Sequence, residues 1–244
     1  TICDAAFFGL NASKILTSIF GGMVTTNQDE IYTKVLNQRA QEIKKASTWK
    51  SLRRFIYLLS VTVAFNKYFY GVVNWLDKKG FLDRFTKYYD DHKIDMPYDY
   101  LEGMTDCEAR VGLIQIKKYD SFIEARRDYA KYYRKALRNV PEITFPDLPE
   151  GATFSQIIAL VDSRDDLRKK ANNIGLDLGR IIEYSIPYMP AYIAYSGGKD
   201  FWPKSKKLAT HVINLPVSGV YDEKRAQETV SKLMNALHNS QRKQ

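Results

Sequence analysis

The sequence predicts an α/β chain whose second half is a small α+β unit, and three observations predict it. Gly21–Thr26, GGMVTT, is a short strand-like run followed at once by a helix start. Thr105-Asp-Cys-Glu108 is a capping box that opens a long helical pattern, Met104 to Leu137. After Pro141 two strand-like segments, SQIIALV (155–161) and HVINLPV (211–217), alternate with helical ones.

Taken in order, the stretch FFGLNASKILTSIFGGMVTTNQDEIY (7–32) holds one lysine, Lys14, among small and apolar residues. An ammonium group is costly to bury without a partner, so the position asks for a reason. Asn27 is placed to cap the next helix, with Glu30 completing a capping box, and Ile31, Val35 and Leu36 give that helix an apolar face. A basic stretch, KKASTWKSLRR, follows. Phe55–Leu76, FIYLLSVTVAFNKYFYGVVNWL, is the most hydrophobic part of the chain, yet Asn66 and Lys67 fall at its centre. A bilayer-spanning helix needs about 20 apolar residues, and a charge at mid-bilayer is expensive. Three readings therefore stand, in this order: a buried helical hairpin, an in-plane membrane anchor through residues 52–76, and a true span. Arg53 and Arg54 beside it suit the anchor.

In the helical pattern from Met104, residues Val111, Ile114, Phe122, Tyr129, Tyr133 and Leu137 share one stripe, with Lys118, Arg126, Arg127 and Lys131 largely off it. Unbroken, it would reach about 50 Å. Beyond it, Ser163 caps the helix DDLRKKANNI and Gly175 stops it. The last helix aligns Ala226, Val230, Leu233 and Leu237 on one face.

The bulk numbers narrow the function classes. Hydrophobic content of 45% with 27% charged residues is that of a globular protein, and the formal charge of +9 favours anionic partners or is simply a solvated surface. Cys3 and Cys107 are too few for a disulfide scaffold, which points to a reducing cytoplasm. The three histidines are scattered and predict no metal site. No helix-turn-helix pattern or aromatic-basic interleaving marks a nucleic-acid reader.

Three stretches together resemble the DegT–DnrJ–StrS family, the fold type I sugar aminotransferases that use pyridoxal phosphate. DAAFFGLNASKILTSIFGGMVTTNQDEI looks like the family's lysine segment. MTDCEARVGLIQIKKYDSFIEARRDYAKYYRKAL is similar to its interdomain helix. GLDLGRIIEYSIPYMPAY and WPKSKKLATHVINLPV follow its small domain. The resemblance implies the C-terminal part of the large cofactor-binding domain over 1–117, with a hydrophobic helical insertion at about 44–97, and a small α+β domain over 118–244. It implies Lys14 as the internal-aldimine lysine, with Asn11 and Ser13 beside it and Asp99 aligned with an asparagine that reaches the neighbouring subunit's cofactor phosphate. An imine-forming lysine must be unprotonated to attack, and Phe7, Phe8, Ile15 and Leu16 are expected to desolvate it. Considered alone, the residues favour a surface lysine on an ordinary loop.

The implied reaction is ping-pong transamination, with glutamate as donor and a nucleotide-linked keto-sugar as acceptor, in a cytoplasmic homodimer. Sugar dehydratases of the same fold tend to carry histidine in place of the lysine. Departures from the family pattern are Gly9 for a phosphate-binding serine, Ile19-Phe20 for a glycine-glutamate pair, and Ile181 and Pro187 for substrate-facing histidines. The family's phosphate loop, its aspartate for the pyridinium nitrogen and its stacking ring all precede the lysine. Only thirteen residues do so here, so the resemblance implies that the N-terminal half of the large domain is missing and that the chain is inactive alone. The alternative is a non-catalytic relative that binds a membrane surface or nucleic acid.

Overall fold

The computed structural model describes residues 3–64, 66, 92–96, 99–179, 185–196 and 202–241. The chain divides into two compact units, Thr1–Tyr119 and Asp120–Gln244, each described here by itself.

The first unit begins with strands β1 (Ala5–Gly9) and β2 (Gly22–Thr26), paired antiparallel with Ala5 opposite Thr26 and Gly9 opposite Gly22. Helix α1 (Asp29–Glu42) follows. Its N-cap is Gln28, not Asn27, and the capping bond expected of Asn27 does not form. The Gln28 amide instead donates to Thr26 Oγ1, which in turn donates to the Asp4 carbonyl and holds the strand end in place. No residue of α1 is buried, so the face of Ile31, Val35 and Leu36 has no cover in this unit among the described residues.

Helix α2 (Thr48–Ala64) starts at Ser47, whose Oγ accepts from the Lys50 amide as an N-cap does. Its amphipathicity is reversed. Leu52, Phe55, Ile56, Leu59 and Val63, at helical spacing, are each about half exposed, while Lys50 is buried on the opposite side. The cations turn inward because their partners lie there, as described below. Among the described residues no helix is long and apolar enough to cross a membrane. The remainder of Phe55–Leu76, position 65 and residues 67–76, lies outside the described residues, as does Ile181.

Helix α3 (Asp106–Ile116) opens on the predicted capping box. Thr105 Oγ1 accepts from the Glu108 amide, and Glu108 Oε2 accepts from the Thr105 amide at 2.8 Å. The long helical pattern does not run through. It turns at Lys117–Lys118, where the Lys118 amide donates to the Gln115 carbonyl, and resumes as α4 (Tyr119–Ala136). The break falls beside the division between the units. Ile114, expected on the shared stripe, is exposed, and the buried face of α4 is made by Ile123, Ala125, Tyr129, Ala130 and Tyr133.

The second unit packs α4 and the last helix around a two-stranded sheet. Strand β3 (Ile157–Leu160) pairs antiparallel with β4 (Val212–Leu215), Ile157 opposite Leu215 and Ala159 opposite Ile213. Between them lie α5 (Arg164–Asn173) and α6 (Pro203–His211), and α7 (Glu223–Gln241) closes the chain. Ser163 is the N-cap of α5, although its side chain makes no capping bond. Gly175, at φ +72°, ends the helix as expected: its amide donates to the Asn172 carbonyl and that of Leu176 to the Ala171 carbonyl, the paired bonds of a Schellman stop. Ala226 and Leu233 of α7 are fully buried against Tyr129, Tyr133 and Ile213. Tyr129 accepts from the Asp222 amide, Asp222 Oδ1 caps α7 at the Arg225 amide, and Tyr133 donates to the Pro216 carbonyl at 2.7 Å. Burial pushes the Tyr133 phenol up to about 12.

Candidate active site

Lys14 lies on the loop between β1 and β2, and hydrogen bonds at both ends define that loop. The Leu10 amide donates to the Gly21 carbonyl at 2.9 Å and the Ser18 amide to the Leu10 carbonyl at 2.8 Å. At its tip the Lys14 amide donates to the Asn11 carbonyl at 3.0 Å, closing a tight turn. Asn11 Oδ1 accepts from both the amide and the hydroxyl of Ser13, at 3.3 and 2.8 Å, the side-chain-to-backbone pattern that favours such turns. Asn11, Ser13 and Lys14 are thus brought together, with the polar groups of the first two spent on shaping the turn.

The surroundings differ from the expectation of a desolvated amine. Lys14 is exposed, as are Phe7 (84%) and Phe8 (47%), while Ile15 and Leu16 are half-buried. Strand neighbours point to alternate faces of a sheet, and Phe7 and Phe8, one on each face, are both exposed. The aliphatic stem of Lys14 folds back over Gly9, where an added Cβ would stand 3.5 Å from Lys14 Cε. The Lys14 side chain is therefore accessible to solvent.

The base of the loop is buried. Leu10, Ser18 and Ile19 are 7%, 1% and 5% exposed. Ile19 has φ +75°, a left-handed backbone that is a genuine outlier for a β-branched residue. It is held by the Thr17 hydroxyl, which accepts from its amide, and by the Ser18 hydroxyl, which donates to the Phe20 carbonyl at 2.6 Å. The next residue, Gly21, is at φ +106°, and a Cβ there would come within 2.8 Å of Met104 Cε. On α3, a Cβ at Gly112 would lie 3.3 Å from Ser18 Cβ, so helix and loop meet closely at a glycine.

Asp99 is buried in a cluster of charges with side chains of α2. Its carboxylate is 3.0 Å from Arg54 Nη2 and 3.9 Å from both Lys50 Nζ and Arg53 Nη2. Arg54 Nε in turn stands 3.1 Å from Glu108 Oε1. Lys50 Nζ also donates to the Glu102 carbonyl at 2.9 Å. Buried charges are tolerated when paired in this way. The Glu102 carboxylate is held below the usual range chiefly by the Ser47 amide, which donates to it at 3.0 Å. Residue spacing gave no sign of these partners, because Arg54 and Asp99 stand 45 positions apart. Nor did it mark Phe20, whose ring lies 5.2 Å from that of Tyr57 and 4.1 Å beneath Arg54 Cζ. Pro187, placed where the family pattern has a histidine, sits in a short 3-10 turn, Ile186–Tyr188, of the second unit. Among the described residues no group of histidine, cysteine and carboxylate side chains could hold a metal ion.

Residues 1–234 match the model of the DegT/DnrJ/EryC1/StrS aminotransferase family. The dTDP-4-dehydro-2,3,6-trideoxy-D-glucose 4-aminotransferase of Saccharopolyspora spinosa is 25% identical over 140 residues, 56% of this chain and 36% of the relative. The GDP-perosamine synthase of Escherichia coli O157:H7 is 22% identical over 218 residues, 88% of this chain and 47% of the relative. Among solved structures, the Helicobacter pylori aminotransferase PseC, involved in the biosynthesis of pseudoaminic acid, superposes with a TM-score of 0.65 at 14% identity. That match covers 97% of this chain and 54% of PseC. The chain spans about half or less of the length of these relatives, and its fold is that of the corresponding part of a fold type I aminotransferase.

Proposed function

Because the chain belongs to the DegT/DnrJ/EryC1/StrS aminotransferase family, we propose that it carries the lysine-bearing part and the small domain of a pyridoxal-phosphate-dependent sugar aminotransferase. The acceptor is a nucleotide-linked keto-sugar and the amino donor glutamate. The observation that carries this reading is Lys14 itself, an exposed primary amine at the tip of a turn fixed by Asn11 and Ser13, within a stretch that follows the family's lysine segment.

Bound at this lysine, pyridoxal phosphate supplies an electron sink that makes the α-hydrogen of an amino acid acidic. Lys14 Nζ would hold the cofactor at its aldehyde carbon, and its free amine would serve as the base that moves the donor's α-proton. The Asn11–Ser13 turn fixes the point from which the amine reaches out, and Gly9 leaves room for the lysine stem to swing. Asp99, whose carboxylate Arg54 engages at 3.0 Å, serves the protein's own cations in this reading. Free Cys3 and Cys107 suit the reducing cytoplasm in which we place the reaction, with a homodimer as the working form.

The test is spectroscopic. Pyridoxal phosphate added to the protein is expected to give imine absorption that is lost in Lys14→Ala. Equal absorption in wild type and variant would remove Lys14 from the role.

A further inference from the structure

The loop that carries Lys14 has an exposed tip and an anchored base, and the anchor reaches α2. Phe20 packs its ring 5.2 Å from that of Tyr57, inclined at 52°, and the Arg54 guanidinium lies over the ring at 4.1 Å. Arg54 is itself immobilised, with Asp99 at 3.0 Å and Glu108 at 3.1 Å. A guanidinium fixed by two carboxylates and stacked on a ring is a rigid surface, and cation–π attraction strengthens as water is excluded. Phe20 is thus the point at which the loop joins a cluster made by α2, the start of α3 and Asp99.

The residue before it makes that join consequential. Ile19 holds a left-handed backbone that costs free energy and persists only where its surroundings over-determine it. Burial of the Ile19 side chain on one side and clamping of Phe20 on the other supply that constraint. From Gly21 and Ser18 the Leu10 hydrogen bonds carry it to the start of the Asn11–Lys14 turn.

We infer that Phe20 is a positioning residue for Lys14, tying the lysine's loop to α2 through its ring beneath Arg54. The inference rests on the reading of Lys14 as the imine-forming lysine. Without the ring, Ile19 relaxes from its strained conformation, the base of the loop shifts, and the amine no longer presents from one fixed point.

Two variants and two readouts test it in the full chain. Phe20→Leu keeps an apolar side chain and removes the ring; Phe20→Tyr keeps the ring. Hydrogen exchange without cofactor follows the amides of Leu10 and Ser18. Borohydride fixation of pyridoxal phosphate, located by peptide mass, follows Lys14. Phe20→Leu is expected to speed exchange at Leu10 and Ser18 and to slow fixation at Lys14 roughly tenfold, less than the hundredfold an ångström of misplacement can cost. Phe20→Tyr is expected to restore both. Fixation in Phe20→Leu equal to wild type overturns the positioning role, and so does faster exchange spread evenly over Thr1–Tyr119. Absence of fixation at Lys14 in the wild type removes the imine reading and the positioning role with it, whereas the first two results leave the imine reading standing.

Discussion

Ile19 shows how a residue can be wrong for its backbone and right for its surroundings. At φ +75° a β-branched side chain is strained by an amount on the order of 1–2 kcal/mol. Its side chain is 5% exposed, and full burial of an isoleucine contributes about 1.5–3 kcal/mol. Burial therefore meets or exceeds the strain. The usual ranking of substitutions should invert here. Ile19→Ala loses the packing and keeps the strain, at a cost of roughly 3 kcal/mol. Ile19→Gly loses the same packing but frees the backbone, so it should be the more stable of the two by about 1 kcal/mol in urea unfolding. Alanine equal to or better than glycine would show that the left-handed conformation is not strained. No sequence pattern announces this: Ile19 stands in an apolar run, and its left-handed backbone shows only in the structure.

At the scale of elements, signals that act within one turn of chain were legible and those that depend on distant partners were not. The Thr105–Glu108 box and the Gly175 stop are local, and each forms as the residues require. The capping box is also a joint in the first unit, since Glu108 is 2% exposed and shares Arg54 with Asp99. Thr105→Ala removes one of the hydrogen bonds that satisfy this carboxylate, and a cost of about 1–2 kcal/mol in thermal or urea unfolding is expected. A loss below about 0.3 kcal/mol, smaller than an ordinary cap, would mean that Arg54 and the backbone amide of residue 105 hold Glu108 without the hydroxyl. Helix α2 shows the other side. Its hydrophobic stretch invited burial of the apolar face, but the inward face is chosen by Lys50 and Arg54. Their partners, Asp99 and Glu108, come from later in the chain and were visible only once the loop 99–105 had folded beneath the helix. The setting of Lys14 was hidden for a similar reason. Phe7 and Phe8 are its neighbours in sequence, while its access to solvent depends on what covers the sheet.

For the molecule as a whole, buried apolar side chains are unevenly shared. Among the described residues those of the first unit are Leu10 and Ile19, whereas the second has a continuous core from Tyr129 to Ala236. Segments with few buried apolar contacts open at low free-energy cost. Limited proteolysis of the chain is therefore expected to cut within residues 3–64 or 99–119 well before it cuts within 120–179 or 202–238, as read by mass spectrometry of the early fragments. First cuts in β3, β4 or the body of α7 would contradict this. The core of the second unit also has a consequence in time. Tyr129 receives the amide of Asp222 from 93 residues further along, and α7 lies beyond that. At roughly 5–20 residues per second of synthesis, α4 must wait about 5–20 s for the partner that closes over it. Throughout that interval the apolar face of α4, Tyr129 and Tyr133 included, lacks the cover that α7 gives it in the finished protein.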